Sequence, residues 1–142
     1  MTSTEEYSNP PDEQIREILQ KYTKVAVVGL SPDPSRPSNG VARYLKSRGY
    51  KIFPVNPGQK EILGERSFPD LRSIPEKVEI VDIFRRPEHV SPIVDEAIRI
   101  GAKVIWMQDG VVNDAAANFA SKNGLVVVMN KCMLREHRKL HD

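Results

Sequence analysis

Cysteine is all but missing from this chain. Cys132 is the single one, so no internal disulfide can form and a reducing compartment is expected. Long apolar runs are missing too, and no stretch approaches the ~20 residues that cross a bilayer. The opening MTSTEEYSNPPDEQ is acidic and polar, unlike a secretory or transit peptide. These absences together give the expectation of a cytoplasmic protein without a membrane partner. A net charge of only +2, with no RNA- or DNA-binding signature, gives no case for nucleic acid. Catalytic signatures are equally scarce. There is no G-x-S-x-G elbow, no Walker loop and no His or Cys spacing suited to a metal. The histidines, His89, His137 and His141, follow no expected strand. The sequence thus offers a binding protein before an enzyme, with no catalytic residue and no metal ligand to nominate.

What is present is ordinary material for one domain. A chain of 142 residues is long enough to bury roughly two-thirds of its unfolded surface. Its 39% hydrophobic and 28% charged content is typical of soluble globular proteins. The charge is unevenly spread: residues 2–20 hold five acids against Arg16, and residues 131–139 hold four bases against Glu136. A basic end of that kind reads as a solvated helix face, with phosphate attraction as the sharper alternative.

The chain alternates between short apolar runs and helical periods. Residues 1–9 read as a loose arm, and Pro10-Pro11-Asp12 opens a helix carrying Ile15, Ile18 and Leu19 on one face. Val25-Ala26-Val27-Val28 reads as a strand buried on both faces. After Gly29 and a proline-punctuated loop, a helical period begins at Asn39-Gly40 with Val41, Tyr44 and Leu45. Further strands are expected at 51–55, 78–83, 103–107 and 125–129, with a small hairpin near 61–66. Phe68-Pro69-Asp70-Leu71 reads as the cap of a one-turn helix, Pro87-Glu88 and Asn113 begin two longer ones, and residues 132–140 read as a terminal helix. Five strands with helices between them and short connections predict an α/β, Rossmann-like doubly wound parallel sheet in three layers. The division expected is an arm and helix over residues 1–22 and one domain over residues 23–142.

In such sheets ligands sit beyond the carboxyl ends of the strands, so the residues just after each strand are the candidates. Gly29 matches the first glycine of the dinucleotide fingerprint, but Ser31 and Pro34 stand where the second and third belong. Ser31, Ser35 and Ser38 carry hydroxyls, and Arg36 can pair with phosphate in a bidentate way. The second strand ends in Asn56-Pro57, with no acid for a ribose diol before Glu61. Those two departures count against NAD. Arg85 and Arg86 place two guanidinium groups after Phe84, either for phosphate or as a solvated pair beside Asp82 and Glu88. Trp106 alternates into the sheet as a core residue, and Gln108-Asp109-Gly110 closes the fourth strand with a neutral amide and a turn. Cys132 beside Lys131 begins the last helix, a setting that suits thiol chemistry, although inert packing is the plainer reading.

The segments VAVVGLSPDPSRPSNGVARYLKSRGYKIFPVNP, VDIFRRPEHV, WMQDGVVN and NKCM together resemble the small bacterial and archaeal CoA-binding proteins. These are similar to the N-terminal CoA-binding domain of succinyl-CoA synthetase α subunits. The resemblance runs from about Tyr22 to Leu134. It implies a Rossmann-like fold with coenzyme A across the carboxyl edge of the sheet. It implies further that Gly29, Leu30, Ser31 and the segment Ser35-Arg36-Pro37-Ser38-Asn39 surround the CoA phosphates. Asn56 and Pro57 would flank the adenosine, and Phe84 and Arg85 would close over the nucleotide or the pantetheine arm. Gln108 and Gly110 would line the pantetheine channel, with Asn130, Lys131 and Cys132 near the thiol. A mixed disulfide between Cys132 and CoA is the chemistry this expects. Ligase activity by this chain alone is not expected, because the phosphohistidine and nucleotide-grasp domain of the large synthetases have no counterpart in it. The readings carried forward are a CoA or acyl-CoA binding module, an NAD(P)-binding oxidoreductase, and a CoA-binding subunit whose partner supplies catalysis. A homodimer is the default assembly.

Overall fold

The computed structural model describes residues 5–140. Residues 1–4, which begin the expected arm, and residues 141–142, which include His141, lie outside the described residues. Helix α1 spans Asp12–Lys21 after Pro11 at its N-cap, with Asp12 and Glu13 in the first turn and Lys21 in the last. Those charges oppose the helix dipole at both ends. Strand β1 is Lys24–Val28, helix α2 Pro37–Ser47 and strand β2 Lys51–Val55. The short β3 (Glu61–Ile62) and β4 (Glu65–Arg66) pair antiparallel as the expected hairpin. A single 3-10 turn, Leu71–Ser73, follows Asp70, whose carboxylate accepts from Ser73 N. Then come β5 (Ile80–Ile83), α3 (Val90–Arg99), β6 (Val104–Met107), α4 (Asp114–Lys122), β7 (Val126–Val128) and α5 (Met133–Arg138).

The five long strands form one sheet in the order β2-β1-β5-β6-β7, and every pairing is parallel. Strand order reverses between β1 and β5. At that point the connections leave in opposite directions and open a crevice at the carboxyl edge. Alternation along each strand sends one set of side chains to each face. Val25, Val27, Ile80, Val104 and Trp106 pack under α1, α2 and α5. Ala26, Val28, Val81, Ile105 and Met107 pack against α3 and α4. The result is the expected three-layer α/β arrangement. Pro54 interrupts no ladder because β2 is an edge strand, the place where a missing N–H is tolerated.

Two local readings change. Helix α2 begins at Pro37, two residues before its apolar period, because proline suits the first helical position and Ser38 and Asn39 turn inward instead of outward. The described part of the arm is tied down. Tyr7 Oη donates to Val127 O at 2.6 Å, Asn9 Nδ2 donates to Met129 O at 2.8 Å, and Met129 N donates to Asn9 Oδ1 at 2.7 Å. These bonds occupy backbone groups on the free edge of β7 that would otherwise be open to strand pairing.

Candidate functional site

The chain turns sharply where β1 ends. Gly29 has φ +87°, and a Cβ there would stand 2.6 Å from Phe84 O. Only glycine lets the loops after β1 and β5 approach so closely. Beyond it, Ser31 N donates to Ser38 Oγ at 2.9 Å and Asn39 Nδ2 donates to Ser31 O at 2.9 Å. Ser35 N and Oγ both donate to Asp33 Oδ1, at 2.9 and 2.8 Å, which holds the Asp33 carboxyl below its usual range. The loop is therefore pre-formed by its own short polar side chains. Asn39 Oδ1 remains buried without a partner among the described residues. Leu30 is fully buried, so it offers a ligand only its backbone.

A crevice of about 500 Å³ opens beside this loop, between the start of α2 and the ends of β5 and β6. Pro37, Val41, Phe84, Pro87 and Val111 make its walls mainly apolar, and Arg85, Arg86, Gln108, Asp109, Gly110 and Cys132 supply the polar groups. Arg85 also borders a smaller hollow of about 150 Å³ on the other side of the sheet edge, against Pro57, Leu71 and Glu96. Arg36, Arg85 and Arg86 are exposed. Among the described residues none of the three has an ion pair. They are cations available to an anion from outside.

Of the residues nominated from sequence, the crevice thus gathers Pro37, Phe84, Arg85, Gln108, Gly110 and Cys132, while Pro57 lines the smaller hollow. Others act as framework. Asn56 Nδ2 donates to Leu30 O and its Oδ1 accepts from Gly58 N, which ties the end of β2 to the loop after β1. Asn130, at φ +60°, accepts from Gly110 N through Oδ1 at 2.8 Å and so fixes one wall. Lys131 O accepts from Trp106 Nε1 at 2.8 Å, and the Asn130 and Lys131 side chains border a separate hollow under the arm. Cys132 is half-buried at the N-cap of α5.

Sequence reasoning missed Val41 and Val111 as wall residues, and it missed the Asp109–Arg135 pair. Arg135 donates to both Asp109 carboxylate oxygens at 2.8 Å, which holds the Asp109 carboxyl below its usual range and braces the loop after β6 against α5. The i, i+4 recurrence of Val41 with Leu45 was visible, but nothing local marks which turn of a helix overlooks a crevice. One of the two sequence readings of Arg85 and Arg86 makes them a solvated pair beside Asp82. Asp82 is instead fully buried on the α2 and α5 side of the sheet, in register with Val27 and Trp106. Burial raises its carboxyl to about 8. Gln108 Nε2 donates to Asp82 Oδ1 at 2.8 Å, and Asp82 Oδ2 has no partner among the described residues.

A parallel sheet with one reversal, with a pre-formed loop and arginines that have no ion pair among the described residues at that reversal, defines an α/β protein of the doubly wound class with a candidate ligand crevice. Comparison with known proteins gives the family: residues 23–138 match the model of the CoA binding domain, and the chain belongs to that family. It is 38% identical over 129 residues to the uncharacterized protein YneT of Bacillus subtilis, covering 91% of this chain and 96% of that one. A hypothetical protein of Pyrococcus horikoshii has the same fold with a TM-score of 0.92 and 44% identity, over 100% of both chains. The chain is also 33% identical over 123 residues to an ADP-forming acetate–CoA ligase of Archaeoglobus fulgidus, covering 79% of this chain and 18% of the ligase. It therefore spans under a fifth of that enzyme's length.

Proposed function

We propose that this protein binds coenzyme A or an acyl-CoA at the carboxyl edge of its sheet and catalyses no reaction alone. The observation that carries this is the crevice at the strand reversal. It is apolar on its walls and bordered by the guanidinium groups of Arg85 and Arg86, which have no ion pair among the described residues, in a chain of the CoA-binding family. CoA is divided in the same way. Its pyrophosphate and 3′-phosphate call for arginines and loop N–H groups, and its adenine and pantetheine arm call for apolar walls. In this reading the phosphates lie at Arg36, Arg85 and the loop of Ser31 and Ser38. The adenine enters the smaller hollow by Pro57, and the pantetheine arm runs along Gln108 and Gly110 toward Cys132.

Calorimetric titration with CoA, with NAD and ATP as controls, tests the reading. Micromolar CoA binding is expected, weakened about tenfold or more in Arg36→Ala because a charge-assisted phosphate contact is lost. Silence with CoA and binding of NAD would overturn it.

Oxidised CoA tests where the thiol end lies. The Cys132 thiolate attacks one sulfur of the CoA disulfide, forms a protein–CoA disulfide and expels the second CoA as its thiolate. Mass spectrometry is expected to show one CoA added to the chain and none in Cys132→Ser. If CoA binds and no adduct forms, the thiol end points away from α5.

A second reading is favoured by the ligase match, in which a chain of this kind is one part of a larger enzyme. A subunit co-purifying from native extract, with acyl-CoA activity only in the complex, would establish it.

A further inference from the structure

Asp82 is an expensive residue in its place. A carboxyl at 0% exposure, flanked by Val27 and Trp106 and with one oxygen unpartnered among the described residues, costs stability that an apolar side chain would not. Its one hydrogen bond is to Gln108, and Gln108 lines the crevice. Gln108 is itself 4% exposed. With Nε2 directed at Asp82 and no further side-chain partner among the described residues, its Oε1 is left for the crevice.

We propose that Asp82 is a positioning residue for the ligand site: it orients the Gln108 amide so that an acceptor, Oε1, meets the ligand. A ligand segment that brings an N–H donor to that point is thereby preferred over one that brings a second acceptor. The pantetheine arm of CoA carries two amide N–H groups and meets this requirement, so the proposal rests on the CoA reading for its ligand. It does not rest on that reading for its geometry. Without Asp82 the Gln108 amide has no hydrogen-bond partner behind it and turns freely. Half of its orientations then present a donor where the acceptor was. Buried polar groups that packing does not need are a recurring mark of functional sites.

Two substitutions separate positioning from structure. Asn at position 82 keeps a neutral oxygen that accepts from Gln108, and Val removes it while suiting a strand. Asp82→Asn is expected to bind CoA within about twofold of the original, and Asp82→Val to bind about fivefold to tenfold more weakly, the size of one lost hydrogen bond. Thermal unfolding of Asp82→Val is expected at the same or a higher temperature, so affinity and stability move in opposite directions. In a Gln108→Leu background Asp82→Val is expected to cost no further affinity, because its route to the ligand is gone. Unchanged CoA affinity in Asp82→Val, or a loss that adds to that of Gln108→Leu, overturns the proposal. The free protein supplies a reading without any ligand. In NMR spectra the side-chain amide protons of Gln108 are expected to exchange slowly with solvent and to hold hydrogen-bonded shifts in the original and in Asp82→Asn, and to exchange faster with shifts moved upfield in Asp82→Val. If the original fails to bind CoA, the CoA reading falls and this spectrum alone decides the role of Asp82: unchanged Gln108 side-chain amide shifts and exchange in Asp82→Val refute it.

Discussion

Asp82 also makes the protein's stability depend on pH in an unusual direction. An unfolded aspartate titrates near 3.8, and burial raises the folded carboxyl to about 8. Between those values the folded state holds a proton that the unfolded state has released. The stabilisation is fully present below about 4 and is lost as pH rises toward 8, at about 1.4 kcal/mol per pH unit. Asp82→Asn does not titrate. Its stability relative to the original is therefore expected to grow from pH 5 to pH 8 in urea unfolding, and a gap that stays constant would mean that Asp82 is ionised in the fold. The residue shows why a charge letter is a poor guide to place. Beside Arg85 and Arg86 an aspartate reads as half of a surface ion pair, yet strand alternation turns it to the face opposite Val81 and Ile83, into the core.

At the scale of elements, the strap formed by residues 5–9 is the part of the structure with most to say about β7. Three hydrogen bonds from Tyr7 and Asn9 reach the backbone of Val127 and Met129. Asn9 makes two of them, so Asn9→Ala is expected to cost about 1–3 kcal/mol and to speed amide hydrogen exchange at Met129. An unchanged exchange rate there would show that the strap follows β7 without holding it. The elements were legible where apolar period speaks: β2 and the hairpin at 61–66 fall where the sequence places them, and α1 and α4 begin at the expected caps. The strap was not legible, because bonds from asparagine and tyrosine side chains to a distant backbone leave no period in the chain. The start of α2 was hidden for a related reason. Its first turn is Pro37 followed by Ser38 and Asn39, two polar residues turned inward to hold a loop, so the apolar stripe begins a turn late. The candidate site was legible as a set of strand ends. Which of those residues line the crevice and which brace it depended on side-chain partners, as Asn56 and Asn130 show.

For the whole molecule, the distribution of charge matters more than the net +2. Arg36, Arg85 and Arg86 face solvent at one edge of the sheet, with no ion pair among the described residues and only Asp33 acting on Arg36 through its charge, while the acids of α1 lie on another element. A polyanionic ligand is drawn to that edge, and salt screens the attraction. CoA affinity is expected to fall roughly threefold to tenfold between 0.05 and 0.5 M salt, with dephospho-CoA, which lacks the 3′-phosphate, responding less. Equal salt sensitivity of the two ligands would place the 3′-phosphate away from the arginines. The strap bears on the molecule as a whole in another way, through the order in which it is made. Asn9 leaves the ribosome 120 residues before Met129, on the order of ten seconds at ordinary elongation rates. During that interval Tyr7 and Asn9 have nothing to hold, and the sheet has no β7 to be held. The seam between the arm and β7 is consequently sewn late, and a nascent chain stalled before residue 126 would display β6 as a bare edge, open to any chaperone or neighbouring strand that reaches it first.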